Sequence, residues 1–212
     1  TDDLWHAFPA GARGAIQEMD SEQAAVFHCQ GASQRLYPYK AVTMKTILLL
    51  QLDEAHTDES LFFAGRFVPD ILEDRLAGIG DIWYLLPESY QGSLEKRPAV
   101  RHGSDTIDEW IPLFDSESAS LIIILHADAP FVDPDTVKEM ILLHTSYLAE
   151  FTYSENLPSG LGCEIFSKEI VSLIPETDGS RLPLTKVVKG NINQFDVELY
   201  YRSPDLRGKR LS

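Results

Sequence analysis

The sequence predicts an α/β fold, a three-layer α/β/α sandwich on a mainly parallel sheet. From Met44 onward, apolar runs alternate with amphipathic segments in the order strand, helix, strand, helix, strand, helix. That order gives parallel strands joined by crossovers. The run "LIIIL" at 121–125 is uninterrupted, as expected of a central strand covered on both faces. After seven intervening residues, "DPDTVKEMILLH" opens with Asp133 as a cap and Pro134 in the first turn, a helix start.

The elements follow in order. "KTILLLQL" is a short apolar run and reads as a buried strand. "RFVPDILEDRLAGIG" places Phe67, Ile71 and Leu72 at helical spacing, with Gly78 as the stop. "DIWYLLP" is a second strand, ended by Pro87. In "GSDTIDEWIPLF", Ile107, Trp110, Ile111 and Phe114 share a helical face, with Ser104 or Asp105 as cap. Pro112 shortens or kinks that helix. "SLIIILH" is the third strand, and the helix after it aligns Val137, Met140, Ile141 and His144. "YLAEFTY" reads as a fourth strand, "CEIFSKEIVSLI" as a fourth helix, and the alternating "NQFDVELYY" as a late strand. Residues 1–43 lack periodicity and read as a weakly ordered or edge extension; residues 201–212 read as a basic, solvated tail or a linker to a further module. Trp83 and Trp110 read as core, while Trp5 falls in the extension.

Composition narrows the function. The 212 residues suit one domain with extra pieces. A net charge of −15 repels phosphate backbones and argues against a nucleic-acid polymer as partner. It leaves room for one nucleotide held with Mg²⁺, since the ion carries its own positive charge. No apolar run is long enough to span a membrane, and the acidic first 20 residues do not form a secretory signal. Cys29 and Cys163 form no CxxC pair, so neither a disulfide framework nor a zinc site is expected, and a cytoplasmic location is. There is no G-x-S-x-G, GxGxxG or P-loop.

The feature that asks for an explanation is Asp128, at the carboxyl end of the most apolar strand between His126 and Pro130. In open parallel sheets ligands bind at that end. A carboxylate there is placed to hold Mg²⁺, which takes one or two protein carboxylates and fills its other sites with water and phosphate. An Asp after a strand also starts turns and caps helices, and both readings stand.

"LIIILHADAPFVDPDTVKEMILLH" resembles the middle motif of the cytidylyltransferase-like nucleotidyltransferases, the group whose enzymes make CMP-sugars and CDP-methylerythritol. Their pattern is an apolar strand, a small residue, Asp, any residue, Pro, an apolar pair and a helix. Asp128 and Pro130 fit it, while His126 and Ala127 depart from it. Weaker matches follow in the family's order: "FAGRFVPDILEDRL", "RHGSDTIDEWI", "LPSGLGCEIFS" and "NINQFDVELYY". The resemblance covers roughly residues 44–200. It implies a nucleotide-diphospho-sugar-transferase (GT-A-like) fold. It also implies a nucleoside triphosphate such as CTP, a small sugar or phosphate acceptor, and Mg²⁺ held by Asp128 and Asp196. By the same resemblance Arg66 or Arg101 contacts phosphates, Gly103, Ser104 and Asp105 lie on the nucleoside side, and Gly160 belongs to the substrate-side loop.

One departure weighs against turnover. The family has a glycine-rich loop with Arg and Lys after its first strand. Here "DEAHTDES" follows, with Asp53, Glu54, Asp58 and Glu59 and no glycine or cation. A triphosphate meets like charge there. A stand-in exists upstream, where Gly31, Ser33, Arg35 and Lys40 look like the missing loop but leave "KTILLLQL" an extra strand. Two functions therefore stand: an active nucleotidyltransferase, and a catalytically degenerate nucleotide- or sugar-binding accessory domain. The "SPDLRGKRL" end is similar to the junction before a radical-SAM and SPASM unit in certain spirochaete proteins, although no CxxxCxxC motif is present.

Among smaller candidates, His56 with the acids of its loop suggests either a metal site or a solvated surface. His126 suggests a phosphate-orienting or proton-donating group, or a structural strand-end hydrogen bond. His102 is placed to touch the same crevice, and His144 reads as a core-edge residue.

Overall fold

The computed structural model describes residues 44–102, 107–158, 160–174 and 184–202, with only the backbone for 107–111 and 171–172. The expected extension at 1–43, most of the expected tail, the Gly31–Lys40 stand-in loop, and Gly103, Ser104 and Asp105 lie outside these residues. In chain order the elements are β1 (Thr46–Gln51), β2 (Phe62–Phe63), β3 (Arg66–Phe67), α1 (Val68–Leu76), β4 (Asp81–Pro87), β5 (Ala99–His102) and α2 (Ile107–Ser116). Then come β6 (Leu121–His126), α3 (Pro134–Tyr147), β7 (Phe151–Tyr153), β8 (Glu164–Ser167), α4 (Glu169–Leu173), α5 (Leu184–Gly190) and β9 (Val197–Leu199).

Seven strands form one sheet in the order β5-β4-β1-β6-β8-β7-β9, and β2 and β3 form a separate hairpin. β5, β4, β1 and β6 are mutually parallel, β8 runs antiparallel to β6 and β7, and β9 is parallel to β7. The side-chain alternation of a strand divides the core in two. Leu48 and Leu50 of β1, with Ile123 and Leu125 of β6, face Leu72 and Leu76 of α1 and Val137 and Met140 of α3. Ile47 and Leu49, with Ile122 and Ile124, face Phe114 of α2, Ile170 of α4 and Val187 and Val188 of α5. Helices thus cover both faces, as expected of a three-layer α/β/α sandwich. Each such Leu or Ile, fully enclosed, contributes about 1.5–3 kcal/mol, which is why β1 and β6 can be apolar on every side. Trp83 is half-buried and packs on the second of these clusters.

Local chemistry sets the element ends. The Asp133 side chain accepts from the Asp135 amide, capping α3, and Pro134 occupies its first turn. The expected stop after α1 is present, with Gly78 at φ +81°. α2 carries Pro112 inside it. Two expectations are corrected. "CEIFSKEIVSLI" is not one helix: its first half is β8, and only Glu169–Leu173 is helical. Arg202 is not part of a free basic tail. Its guanidinium donates to Asp133 (2.9 Å) and Thr136 (2.5 Å), and its amide donates to Asn156 (3.1 Å). No helix among the described residues is long and apolar enough to cross a membrane.

Candidate functional site

The carboxyl ends of β1 and β6 lie side by side, because Gln51 pairs with His126. Each strand then opens into a turn, and the Ala127 amide donates to the Gln51 carbonyl (2.8 Å). Asp128 therefore emerges at the mouth of the sheet, with its side chain 44% exposed. A cleft of about 290 Å³ opens beside it, lined by Asp53, His126, Asp128, Pro130, Phe131 and Gly160 among others.

Three segments make the walls. The first is the acidic loop after β1. It folds toward Asp128, and His56 Nε2 lies 3.2 Å from Asp128 Oδ2. The His56 Nδ1 atom is buried and has no hydrogen-bond partner. Asp53 lines the cleft. Asp58 is turned away: it accepts from the Tyr90 hydroxyl and from the Ser93 amide (2.9 Å), pinning the turn after β4. Glu54 and Glu59 are exposed. The described residues contain no cluster of three or more His, Cys, Asp or Glu able to hold a metal ion, so the acid-rich loop does not gather a metal set around His56.

The second wall is the turn after β6. Arg75 of α1 donates to the carbonyls of Pro130 (2.7 Å) and Val132 (3.3 Å), on either side of Phe131. Phe131 is 49% exposed, and its ring meets Phe63 of β2 edge to face with centroids 5.0 Å apart. The third wall is the loop between β7 and β8. Gly160 has φ +81°, and a Cβ there would lie 3.0 Å from Ala129 Cβ. Glycine allows that loop to close on the Asp128 turn.

The other expected site residues among those described, Asp196, Arg66 and Arg101, are not gathered here. Phe151 pairs with Val197 and with Phe166, and Phe166 pairs with Ile122. These four lie in one row near the amino end of β6, and Asp196 stands one residue below that row. With about 3.3 Å per residue and about 4.8 Å between strands, Asp196 and Asp128 are roughly 20 Å apart at opposite ends of the sheet. The expected shared Mg²⁺ site at Asp128 and Asp196 is corrected on that ground. Asp196 is exposed, and its amide donates to Glu150 (2.9 Å). The carboxylate that joins Asp128 at the cleft is Asp53.

Neither expected phosphate contact points into the cleft. Arg66, on the hairpin, pairs with Asp74 (2.9 Å). Arg101 sits on edge strand β5, three strands from β6. It donates to the carbonyls of Pro87, Glu88 and Tyr90 and pairs with Glu95 (2.8 Å). It lines a separate open depression with Glu88, Gln91 and Gly92. His102 is buried at the end of β5. His144 is deep in the core rather than at its edge. Its Nδ1 meets Thr152 Oγ1 at 2.9 Å, and burial lowers its pKa to about 4.

No protein-family model matches the chain. The spore coat polysaccharide biosynthesis protein SpsF of Bacillus subtilis (strain 168) is 31% identical over 74 residues, which cover 34% of this chain and 31% of that protein. The chain thus matches about a third of the curated relative's length. A cytidylyltransferase from Leptospira borgpetersenii superposes with a TM-score of 0.64 at 16% identity, covering 79% of each chain. The CMP:2-keto-3-deoxy-manno-octonic acid synthetase complexed with CTP gives 0.52 at 12% identity, covering 74% of this chain and 88% of that one. At these identities the likeness shows the fold, which is that of the cytidylyltransferases and nucleotide-diphospho-sugar transferases.

Proposed function

We propose that this nucleotidyltransferase-like domain binds a sugar or nucleotide without turning it over, as an accessory domain of a larger protein. One observation carries the reading. Among the described residues, no Lys or Arg lines the cleft at the sheet mouth, whereas Asp53 and Asp128 do. Phosphoryl chemistry depends on cations and backbone amides arranged around the phosphates. Here the loop after β1 instead brings a carboxylate and an imidazole to Asp128. A triphosphate entering the cleft would face like charge, with no Lys or Arg among the described lining residues to offset it.

A second reading is favoured by the placement of Asp128 and Asp53 on one cleft. Two carboxylates suffice for Mg²⁺ when a nucleotide supplies the remaining oxygens. Bound there, the ion would neutralise charge on a pyrophosphate leaving group. The domain would then transfer a cytidylyl group from CTP to a sugar or phosphate acceptor. The nearby imidazoles of His56 and His126 would orient the bound groups, since the loop after β1 carries no Lys or Arg. A spirochaete radical-SAM and SPASM protein is one setting for the accessory role, and it rests on the sequence of the carboxyl-terminal end alone.

CTP and Mg²⁺ separate the two readings. The enzyme reading expects pyrophosphate release that Asp128→Asn abolishes. It also expects a stability gain of about 2.7 kcal/mol at CTP 100-fold above Kd. The binding reading expects no pyrophosphate with any nucleoside triphosphate. Sustained Asp128-dependent release would overturn it.

A further inference from the structure

The same cleft has chemistry suited to one class of ligand. Its volume, about 290 Å³, lies just below the roughly 300–1,000 Å³ typical of ligand sites. That suits a single ring better than a nucleoside triphosphate. Its polar lining is Asp53, His126 and Asp128, two acceptors of hydroxyl protons and an imidazole able to donate or accept. Its apolar rim is Phe131, flanked by Phe63. The rim is held rigidly: Arg75 ties the carbonyls on both sides of Phe131, and Gly160 closes the opposite wall onto Ala129.

We infer that the cleft binds an unphosphorylated sugar ring, with its apolar C–H face on Phe131 and its hydroxyls donating to Asp128 and Asp53. This rests on the ligand-binding reading above and specifies its ligand. Sugar C–H groups carry partial positive charge and match the negative face of an aromatic ring. Sugar hydroxyls donate to carboxylates without bringing an anion into an acidic cleft. A phosphate oxygen at Asp53 and Asp128 would be repelled instead. Because Phe131 is braced before the ligand arrives, little ordering opposes binding.

The test uses the full chain and a panel of methyl pyranosides of gluco, galacto and manno configuration, read by saturation-transfer NMR and by titration. Each is compared with the corresponding sugar 1-phosphate and with CTP plus Mg²⁺. At least one neutral pyranoside should bind, and its 1-phosphate should bind more weakly. Phe131→Ala should weaken the pyranoside about three- to tenfold, and Phe131→Tyr should restore it. Phe131→Ala also loses the edge-to-face contact with Phe63, so its melting temperature should fall by a few degrees with cooperative unfolding retained, while Phe131→Tyr should keep the wild-type value. Pyranoside binding that ignores Phe131→Ala overturns the inference. So does a 1-phosphate or CTP that binds while no pyranoside does, although that result keeps the broader ligand-binding reading. Failure of every probe overturns both.

Discussion

Acidification from pH 7.5 to pH 5 should destabilise the domain by about 2 kcal/mol through His144 alone. The imidazole is 2% exposed, on the inner face of α3. Burial disfavours its charged form and lowers its pKa from 6.5 to about 4, with Glu169 acting weakly in the opposite sense. The unfolded chain therefore binds more protons between these two values, and stability falls as pH falls. The contribution is present in full above about pH 6.5 and lost through about pH 4, where it totals roughly 3.4 kcal/mol. The assay is urea unfolding at half-unit pH steps, followed by tryptophan fluorescence. His144→Met removes the titrating group. It lowers stability at pH 7.5, because Thr152 loses its partner, but it should flatten the slope below pH 6.5. A variant whose stability falls with pH as steeply as the wild type would refute the assignment, since the exposed carboxylates are common to both proteins.

Two further outcomes concern packing. At Gly80, a Cβ would lie 2.6 Å from the Thr46 carbonyl oxygen. Gly80→Ala must therefore push apart the start of the β1–β4 pairing, at a cost on the order of 1–3 kcal/mol seen as a lower melting temperature. The Cys163 thiol is enclosed beside Met140, and burial pushes its pKa up. Iodoacetamide at pH 8 should leave Cys163 unmodified in the native protein and alkylate it in urea, as read by peptide mass mapping.

What the sequence revealed follows the strength of local signals. β1, β4 and β6 are apolar enough to be seen without knowing their neighbours, and α3 announces itself through Asp133 and Pro134. β8 was concealed because Ile165 and Phe166 run into Ile170, so a strand and a short helix merge into one helix-like pattern. β5 has only four residues, at a sheet edge, and escapes any periodicity test. The position of Asp128 at the sheet mouth was legible because it directly follows the carboxyl end of an unmistakable strand. Asp196 misled because it precedes its strand, and an acid before a parallel strand faces the other rim. Read from the sequence, the strand is "NQFDVELYY", with Asp196 inside it; the shorter β9, Val197–Leu199, leaves Asp196 before the strand. The His56 contact was not legible. It joins residues far apart in the chain, and only the pairing of Gln51 with His126 brings their loops together.

The reversed direction of β8 has a further consequence. β7 ends at the ligand rim, and β8 begins there, with Glu164 opposite Ile124. Residues 154–163 are thus a simple return between antiparallel neighbours, not a crossover obliged to span the sheet. Such a return can change in length or sequence while every strand keeps its place. The Gly160 side of the opening can therefore be altered without disturbing the framework that carries it.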